Sequence, residues 1–214
     1  MLPKKVFIAT SNAGKLRDFA GATAGVTGVV LEPLPGFSGF PSVEEDGLTF
    51  EANACKKAGF YSGYAPGAVV LADDSGLEVA ALNGAPGVRS ARYSKDDAHQ
   101  FQAAYASLSD DEANNQRLLR EMANMPAPAR AARFVCVLAV ARDGRLLQTF
   151  EGEVRGTILR APRGENGFGY DPLFYLPELG KTTAELTAEE KAKVSHRGQA
   201  FRKFLEWHKQ QTEY

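Results

Sequence analysis

Two adjacent aspartates, Asp73 and Asp74, follow the apolar run Ala68-Val69-Val70-Leu71-Ala72 and precede Ser75-Gly76. A carboxylate at the edge of a buried strand needs a proton, water or a cation as partner. Side chains alternate along a strand, so Asp73 and Asp74 face opposite ways for as long as the strand continues. One can point into a site while the other ties down a turn made by Ser75-Gly76; a solvated strand cap fits the same residues. Other stretches add to this chemistry. Thr10-Ser11-Asn12-Ala13-Gly14-Lys15 joins a short strand to a helix and offers backbone N–H groups and a cation to phosphates, although it lacks the two glycines and Gly-Lys-Ser/Thr of a P-loop. Glu44-Glu45-Asp46 precedes a helix, where acidic residues serve as metal ligands or only complement the helix dipole. Gly164, Gly167 and Gly169 interleave with Phe168, Tyr170 and Asp171, as in a loop whose backbone approaches a flat ligand while a ring stacks on it. Lys191, His196 and Arg197 lie before or at the start of a last helix.

Carboxylates combined with phosphate-binding cations are what Mg²⁺-assisted attack at phosphorus requires. Mg²⁺ takes a few carboxylates, keeps waters and uses substrate phosphate oxygens, and a free carboxylate can then receive the water's proton. No Ser-His-Asp arrangement or Cys-His pair is evident, which argues against acyl transfer. Cys55 and Cys136, the only cysteines, sit in apolar contexts, as expected of reduced thiols in a cytoplasmic protein. The formal charge of −1 gives no general attraction to nucleic acid or to a membrane surface. Met1-Leu2-Pro3-Lys4-Lys5 runs into a strand with no signal-peptide apolar region, and the longest apolar run, 134–141, is too short to span a bilayer. A partner membrane or nucleic acid is therefore not expected. The segment 191–209 carries six Lys/Arg against one acid, but its aromatic positions follow core periodicity.

The elements that must hold these residues can be read from periodicity. Residues 6–9 form a first strand, followed by a helix with Leu16, Phe19 and Ala20 on one face. Residues 29–31 form a second strand, and 33–41, rich in Gly and Pro, an irregular loop. Thr49 is an N-cap for a helix with an apolar stripe of Phe50, Ala54, Ala58 and Tyr61. Residues 77–79 continue the aspartate strand, 83–87 turn, and 97–107 and 111–125 are helical, the second with Leu118, Leu119 and Met122 inward. Strands 133–141 and 145–150 form a hairpin around Asp143-Gly144, with 153–159 as a third strand. Val194, Phe201, Phe204, Leu205 and His208 share one face of the last helix. At 214 residues the chain has the size of one large domain, 1–214.

Five stretches, in order and at matching spacing, resemble the inosine triphosphate pyrophosphatase family, the noncanonical purine nucleoside triphosphate pyrophosphatases (XTP/dITP diphosphatases). They are Phe7-Ile8-Ala9-Thr10-Ser11-Asn12-Ala13-Gly14-Lys15, Glu45-Asp46-Gly47-Leu48-Thr49-Phe50, Ala72-Asp73-Asp74-Ser75-Gly76-Leu77, Gly167-Phe168-Gly169-Tyr170-Asp171-Pro172 and Ser195-His196-Arg197. The resemblance implies an α/β fold, an elongated mixed β-sheet flanked by helices, with two lobes and a central substrate cleft. It implies that Thr10, Ser11, Asn12 and Lys15 grip a triphosphate, that Glu45 and Asp74 hold Mg²⁺, that Asp74 accepts the proton and that Ser75 touches substrate. Phe168, Gly169, Tyr170 and Asp171 would line a base pocket, with Phe168 stacking on the purine. Lys191, His196 and Arg197 would complete the contacts to base and phosphate. The implied reaction cleaves ITP, dITP or XTP between the α and β phosphates, keeping these nucleotides out of DNA and RNA, in a cytoplasmic homodimer.

The chain departs from the family pattern at two places. Ser11 stands where Gly is common, and Ser is small enough for the loop. In Glu51-Ala52-Asn53, Ala52 stands where relatives usually have Glu. One residue turns a side chain about 100° around a helix, so Glu51 does not replace it and no metal or supporting role is carried over to this helix. Alternatives are a septum-formation-inhibitor-type pyrophosphatase acting on pyrimidine or modified nucleotides, an inactive nucleotide-binding module, and a nucleic-acid-binding protein using the basic C-terminal segment. Phe168 to Asp171 and His196-Arg197 argue against the first, Glu45, Asp74 and Lys15 against the second, and the net charge against the third.

Overall fold

The computed structural model describes residues 4–23, 28–96 and 98–212; the expectations that fall on Met1, Leu2, Pro3 and Asp97 lie outside these residues. Seven strands and six α-helices occur among them, in the order β1 (Lys5–Ile8), α1 (Ala13–Thr23), β2 (Val30–Pro33), α2 (Phe50–Ser62), β3 (Val69–Val79), α3 (Ala98–Tyr105), α4 (Asp110–Glu121), β4 (Ala131–Arg142), β5 (Arg145–Ile158), β6 (Phe174–Leu176), β7 (Lys181–Thr182), α5 (Ala188–Val194) and α6 (His196–Thr212). The strands form one mixed sheet in the order β2-β1-β3-β4-β5-β6-β7. The α/β class expected from the sequence is what is observed. Among the described residues, no helix is long and apolar enough to cross a membrane.

The chain divides into two compact units. The first comprises 1–75, 135–153 and 188–214, the second 76–134 and 154–187.

In the first unit, β1 pairs in parallel with β2 on one side and β3 on the other. Parallel strands under helices are buried on both faces, which is why Val69, Val70, Leu71 and Ala72 form an uninterrupted apolar run. The core gathers Val6, Ile8, Val69, Leu71, Leu138 and Val140 from the strands with Phe19, Phe201 and Phe204 from α1 and α6. Phe19 meets Phe201 edge-on with ring centres 5.9 Å apart. Thr49 caps α2 by accepting the Ala52 N–H, and the expected stripe of Phe50, Ala54, Ala58 and Tyr61 is buried. On α1, Phe19 is buried and Leu16 half-buried, but Ala20 is exposed.

The hairpin turn is as expected: Asp143 (φ 51°) and Gly144 (φ 78°) both take the left-handed backbone that a two-residue turn demands. Beyond it the sequence reading is corrected. Residues 145–158 are one strand, β5, and not two. Gly152, inside the expected gap, lies where a Cβ would come within 2.1 Å of the His196 carbonyl and 2.7 Å of the Ala200 nitrogen. It marks the close approach of α6 to the sheet.

In the second unit, β3 runs on through Gly76, so Ser75-Gly76 is not a turn. A Cβ on Gly76 would fall 2.3 Å from Ser90 Oγ and 2.6 Å from the Gly87 carbonyl. Ser90 Oγ accepts the Leu77 N–H at 2.9 Å and donates to the Gly87 carbonyl at 2.6 Å, fastening the 87–96 segment to the strand. Ser109 and Glu112 form a capping box that starts α4, which ends at Glu121, short of the expected Met125. The Arg130 guanidinium is buried and donates to the carbonyls of Ile158, Met122 and Leu159.

Candidate active site

The loop from β1 to α1 is closed by its own side chains. Thr10 Oγ1 accepts the Asn12 N–H (3.2 Å), and Asn12 Oδ1 accepts the Lys15 N–H (3.0 Å). Asn12 is therefore the N-cap of α1. Ser11 and Asn12 are exposed and Thr10 is half-buried, so the positive end of α1 is presented with polar side chains around it. Lys15, in the first turn, sends its ammonium to within 3.0 Å of both Asp73 carboxylate oxygens.

Strand alternation now separates the two aspartates by partner. Asp73 collects cations: besides Lys15, it accepts from Ser75 Oγ (2.9 Å) and lies 3.5 Å from Arg197 Nε. Burial alone would raise its pKa, but Lys15, Arg197 and Lys57 outweigh burial and hold the carboxyl well below the usual range. The expectation that Asp73 holds a turn is thus replaced by a role as anchor for two cations. Arg197 also donates to Ser75 Oγ (2.6 Å) and to Asp18 Oδ2 (3.0 Å), and Lys191 lies 3.2 Å from Asp18 Oδ1. Asp18 is one helical turn beyond Lys15, on the same face of α1. Three cations therefore meet two carboxylates here. Ser195 Oγ accepts the Gly198 N–H and caps α6, placing His196 and Arg197 in its first turn. His196 is buried; burial first, then Arg197 and Lys191, push its pKa well down, so the imidazole is neutral.

Asp74 faces a different set. Its Oδ1 is 3.1 Å from Lys57 Nζ, which is also 3.0 Å from Glu45 Oε1. Asn53 Nδ2 donates to Asp74 Oδ2 at 3.1 Å. Burial raises the Asp74 pKa, and Lys57 and Lys15 do not fully offset it because Glu45 adds a like charge and shares the ammonium. For Lys57 burial acts downward, yet the carboxylates of Asp74, Asp73 and Glu45 prevail and its pKa is raised. The irregular loop carrying Glu45 is tied down upstream by Tyr61, whose hydroxyl donates to the Pro41 carbonyl and accepts the Val43 N–H.

Asn53, Lys57 and Asp18 were not among the residues singled out from the sequence. Asn53 and Lys57 are four apart on α2, flanking the buried stripe and both buried themselves. That spacing of polar residues beside an apolar stripe was the available signal. Glu51, by contrast, is exposed and accepts from Thr149 Oγ1 at 3.0 Å.

Phe168, Gly169, Tyr170 and Asp171 belong to the second unit. Phe168 and Gly169 are half-buried; Tyr170 and Asp171 are buried. Asp171 Oδ2 accepts the Phe168 N–H (2.9 Å) and its Oδ1 accepts from Thr183 Oγ1 (2.9 Å). The Tyr170 hydroxyl donates to the Ser90 carbonyl (2.9 Å). Gly169 is held through its N–H by Asp111 (2.7 Å) and through its carbonyl by Asn115 (2.9 Å). These bonds fix the loop's backbone around the half-buried Phe168.

The arrangement invites comparison with known proteins. A sequence model of the Ham1 family matches residues 6–207, nearly the whole chain. The chain belongs to the Ham1 family. A relative from Acidobacterium capsulatum named dITP/XTP pyrophosphatase is 54% identical over 203 residues, covering 94% of this chain and 96% of the relative. One of the same name from Geobacter sulfurreducens is 48% identical over 196 residues, covering 92% of each. Among solved structures, the Ham1 protein of Staphylococcus aureus superposes with a TM-score of 0.77 at 37% identity, over 97% of this chain and 100% of that one. The HAM1 protein of Coxiella burnetii gives 0.76 at 36%, over 98% and 100%. The family resemblance carried by the five motifs is thus borne out.

Proposed function

We propose that this Ham1 chain is a Mg²⁺-dependent nucleoside triphosphate pyrophosphatase that cleaves dITP, XTP and ITP between the α and β phosphates. The observation that carries the reading is the division of labour between Asp73 and Asp74. One gathers Lys15 and Arg197, and the other meets Glu45 beside a single buried ammonium. The relatives named dITP/XTP pyrophosphatase support the substrate class.

The donor set fits magnesium. Among the described residues no group of three or more His, Cys, Asp or Glu could hold an ion unaided. Glu45 and Asp74 are nevertheless drawn to one point, where Lys57 now sits. Two carboxylates completed by phosphate oxygens and water suit this cation. When bound, the ion would neutralise phosphate charge and lower the pKa of an attacking water.

The chain's own residues supply the rest. Lys15, Arg197 and the N-terminus of α1 hold the triphosphate. Their charge is already ordered by Asp73 and Asp18, so little reorganisation accompanies binding. Asp74, with its raised pKa, takes the proton from the attacking water. The bridging P–O bond breaks, leaving the nucleoside monophosphate and pyrophosphate. Lys191 and the neutral His196 are assigned to the base and phosphate contacts, and Phe168, Gly169, Tyr170 and Asp171 to substrate recognition, on the resemblance. Buried donors that pair with a 6-keto oxygen are left unpaired by the 6-amino group of adenine, and such a mismatch can reject a base 10⁴–10⁵-fold. From the same resemblance we assign a cytoplasmic homodimer.

The test is product release from a nucleotide panel with Mg²⁺. Pyrophosphate should appear from dITP and XTP far faster than from dATP. Equal rates throughout, or orthophosphate as first product, would overturn the assignment.

A further inference from the structure

We infer that Asn53 is a positioning residue for the proposed reaction, holding the loop that bears Glu45 in register with Asp74. The inference rests on the functional reading above and extends it to a side chain that acts through Asp74 and the loop bearing Glu45.

Asn53 is fully buried on α2. Its Oδ1 accepts the Gly47 N–H at 2.8 Å, and its Nδ2 donates both to the Gly47 carbonyl (3.3 Å) and to Asp74 Oδ2 (3.1 Å). Both donors of the amide and one lone pair of its oxygen are therefore used. Both main-chain groups of Gly47 are gripped by the side chain that also orients Asp74. One helical turn on, Lys57 joins Glu45 to the other oxygen of Asp74. The result is a closed ring running from Asp74 through Asn53, Gly47, Glu45 and Lys57 back to Asp74. A carboxylate and an amide from different elements are thus fixed against the same loop.

Gly47 provides an independent sign that this contact is built in. A Cβ there would lie 2.6 Å from Asn53 Oδ1 and 2.9 Å from the Ala52 Cβ. The loop approaches α2 so closely that any side chain at 47 would break the grip. The chemistry explains why an amide and not a carboxylate stands at 53. A carboxylate there would lose both donors and set a second negative charge beside Asp74.

The triphosphate-holding cations belong to the Asp73 network, so loss of the grip should strike turnover and metal use more than nucleotide binding. Asn53→Ala and Gly47→Ala should each lower kcat about 10–100-fold and raise the Mg²⁺ concentration for half-activity by a similar factor, the usual effect of losing an outer-shell partner. KM for dITP at saturating Mg²⁺ should change less than about threefold. The double variant should be little worse than either single one, because both remove the same contact. Hydrogen exchange supplies a readout without turnover: the Gly47 amide should be protected in the parent and lose protection in Asn53→Ala. If Asn53→Ala does not fold, Gly47→Ala, in a half-buried loop, decides alone. Unchanged kcat and Mg²⁺ dependence in Gly47→Ala, or strictly additive losses in the pair, would overturn the inference. A parent enzyme that releases no pyrophosphate from dITP would instead overturn the functional reading.

Discussion

Replacing Asp73 by asparagine removes the carboxylate that collects Lys15 and Arg197, while replacing Asp74 removes the one proposed to take a proton. The two changes are chemically identical and one residue apart, yet they should give opposite phenotypes. The Asp73 side chain is 1% exposed and the Arg197 side chain 7%, so water does not screen the loss. Removing one partner of such a buried pair costs about 3–5 kcal/mol, because the charges left behind stay desolvated. For a domain of this size each kcal/mol is worth roughly 2–4 °C in Tm, which gives a drop of about 6–20 °C. Asp74→Asn leaves Lys57 with Glu45 at 3.0 Å and removes a carboxylate whose ionisation burial already disfavours. Its stability should therefore fall by only about 1 kcal/mol, which is roughly 2–4 °C in Tm. Its rate of pyrophosphate release should fall about 10²–10⁴-fold, the worth of a positioned base. Melting curves and initial rates on the two purified variants decide the matter. A cool-melting Asp74→Asn with near-parental activity, beside a stable but inactive Asp73→Asn, would reverse the assignment and refute the reasoning.

Three further outcomes follow from the packing. Gly152→Ala should destabilise by about 1–3 kcal/mol, the usual cost of overpacking, because its Cβ would meet the His196 carbonyl at 2.1 Å; a parental melting curve would contradict the close approach of α6 to β5. Glu185 is held down to about 2 by hydrogen bonds from Arg163 and the Thr182 N–H. Its contribution to stability is therefore present above an unfolded value of roughly 4.3 and is lost as pH falls toward 2, so the gap in Tm between the parent and Glu185→Gln should narrow on acidification. Cys136 is fully buried, and burial together with Asp73 pushes its thiol well up. Iodoacetamide at mildly alkaline pH should leave it unmodified in the native protein and label it after unfolding, as read by mass spectrometry.

What was legible in the sequence is what local physics decides. Asp143-Gly144 announced its turn because few residue pairs tolerate two left-handed conformations in succession. The opposite facing of Asp73 and Asp74 needed only the alternation of a strand. The turn expected at Ser75-Gly76 and the gap expected between residues 150 and 153 are both strand, and each holds a glycine that answers a distant neighbour. Gly76 stays in β3 because Ser90 and Gly87 press on it, and Gly152 stays in β5 because α6 does. Tyr170 and Asp171 stand in the glycine-containing loop expected to line a base pocket. In the fold their polar groups bond to Ser90, Phe168 and Thr183.

The residues of α2 show the limit most clearly. Ala52, standing where relatives usually have Glu, suggested that the helix had no part in the site. A motif read position by position could say no more than that. The helix reaches the site from its other flank. Asn53 and Lys57 lie on the edge of the stripe that buries Phe50, Ala54, Ala58 and Tyr61, so packing that stripe carries both polar groups inward with it. Once inside they cannot remain unsatisfied, since a buried amide or ammonium without partners costs several kcal/mol. Asp74 and the loop at Glu45 and Gly47 are the partners within reach. Burial of the apolar face thus dictates that the polar flank be used. A carboxylate pair that would otherwise repel is thereby held together around one ammonium, with the amide fixing the distance between loop and strand.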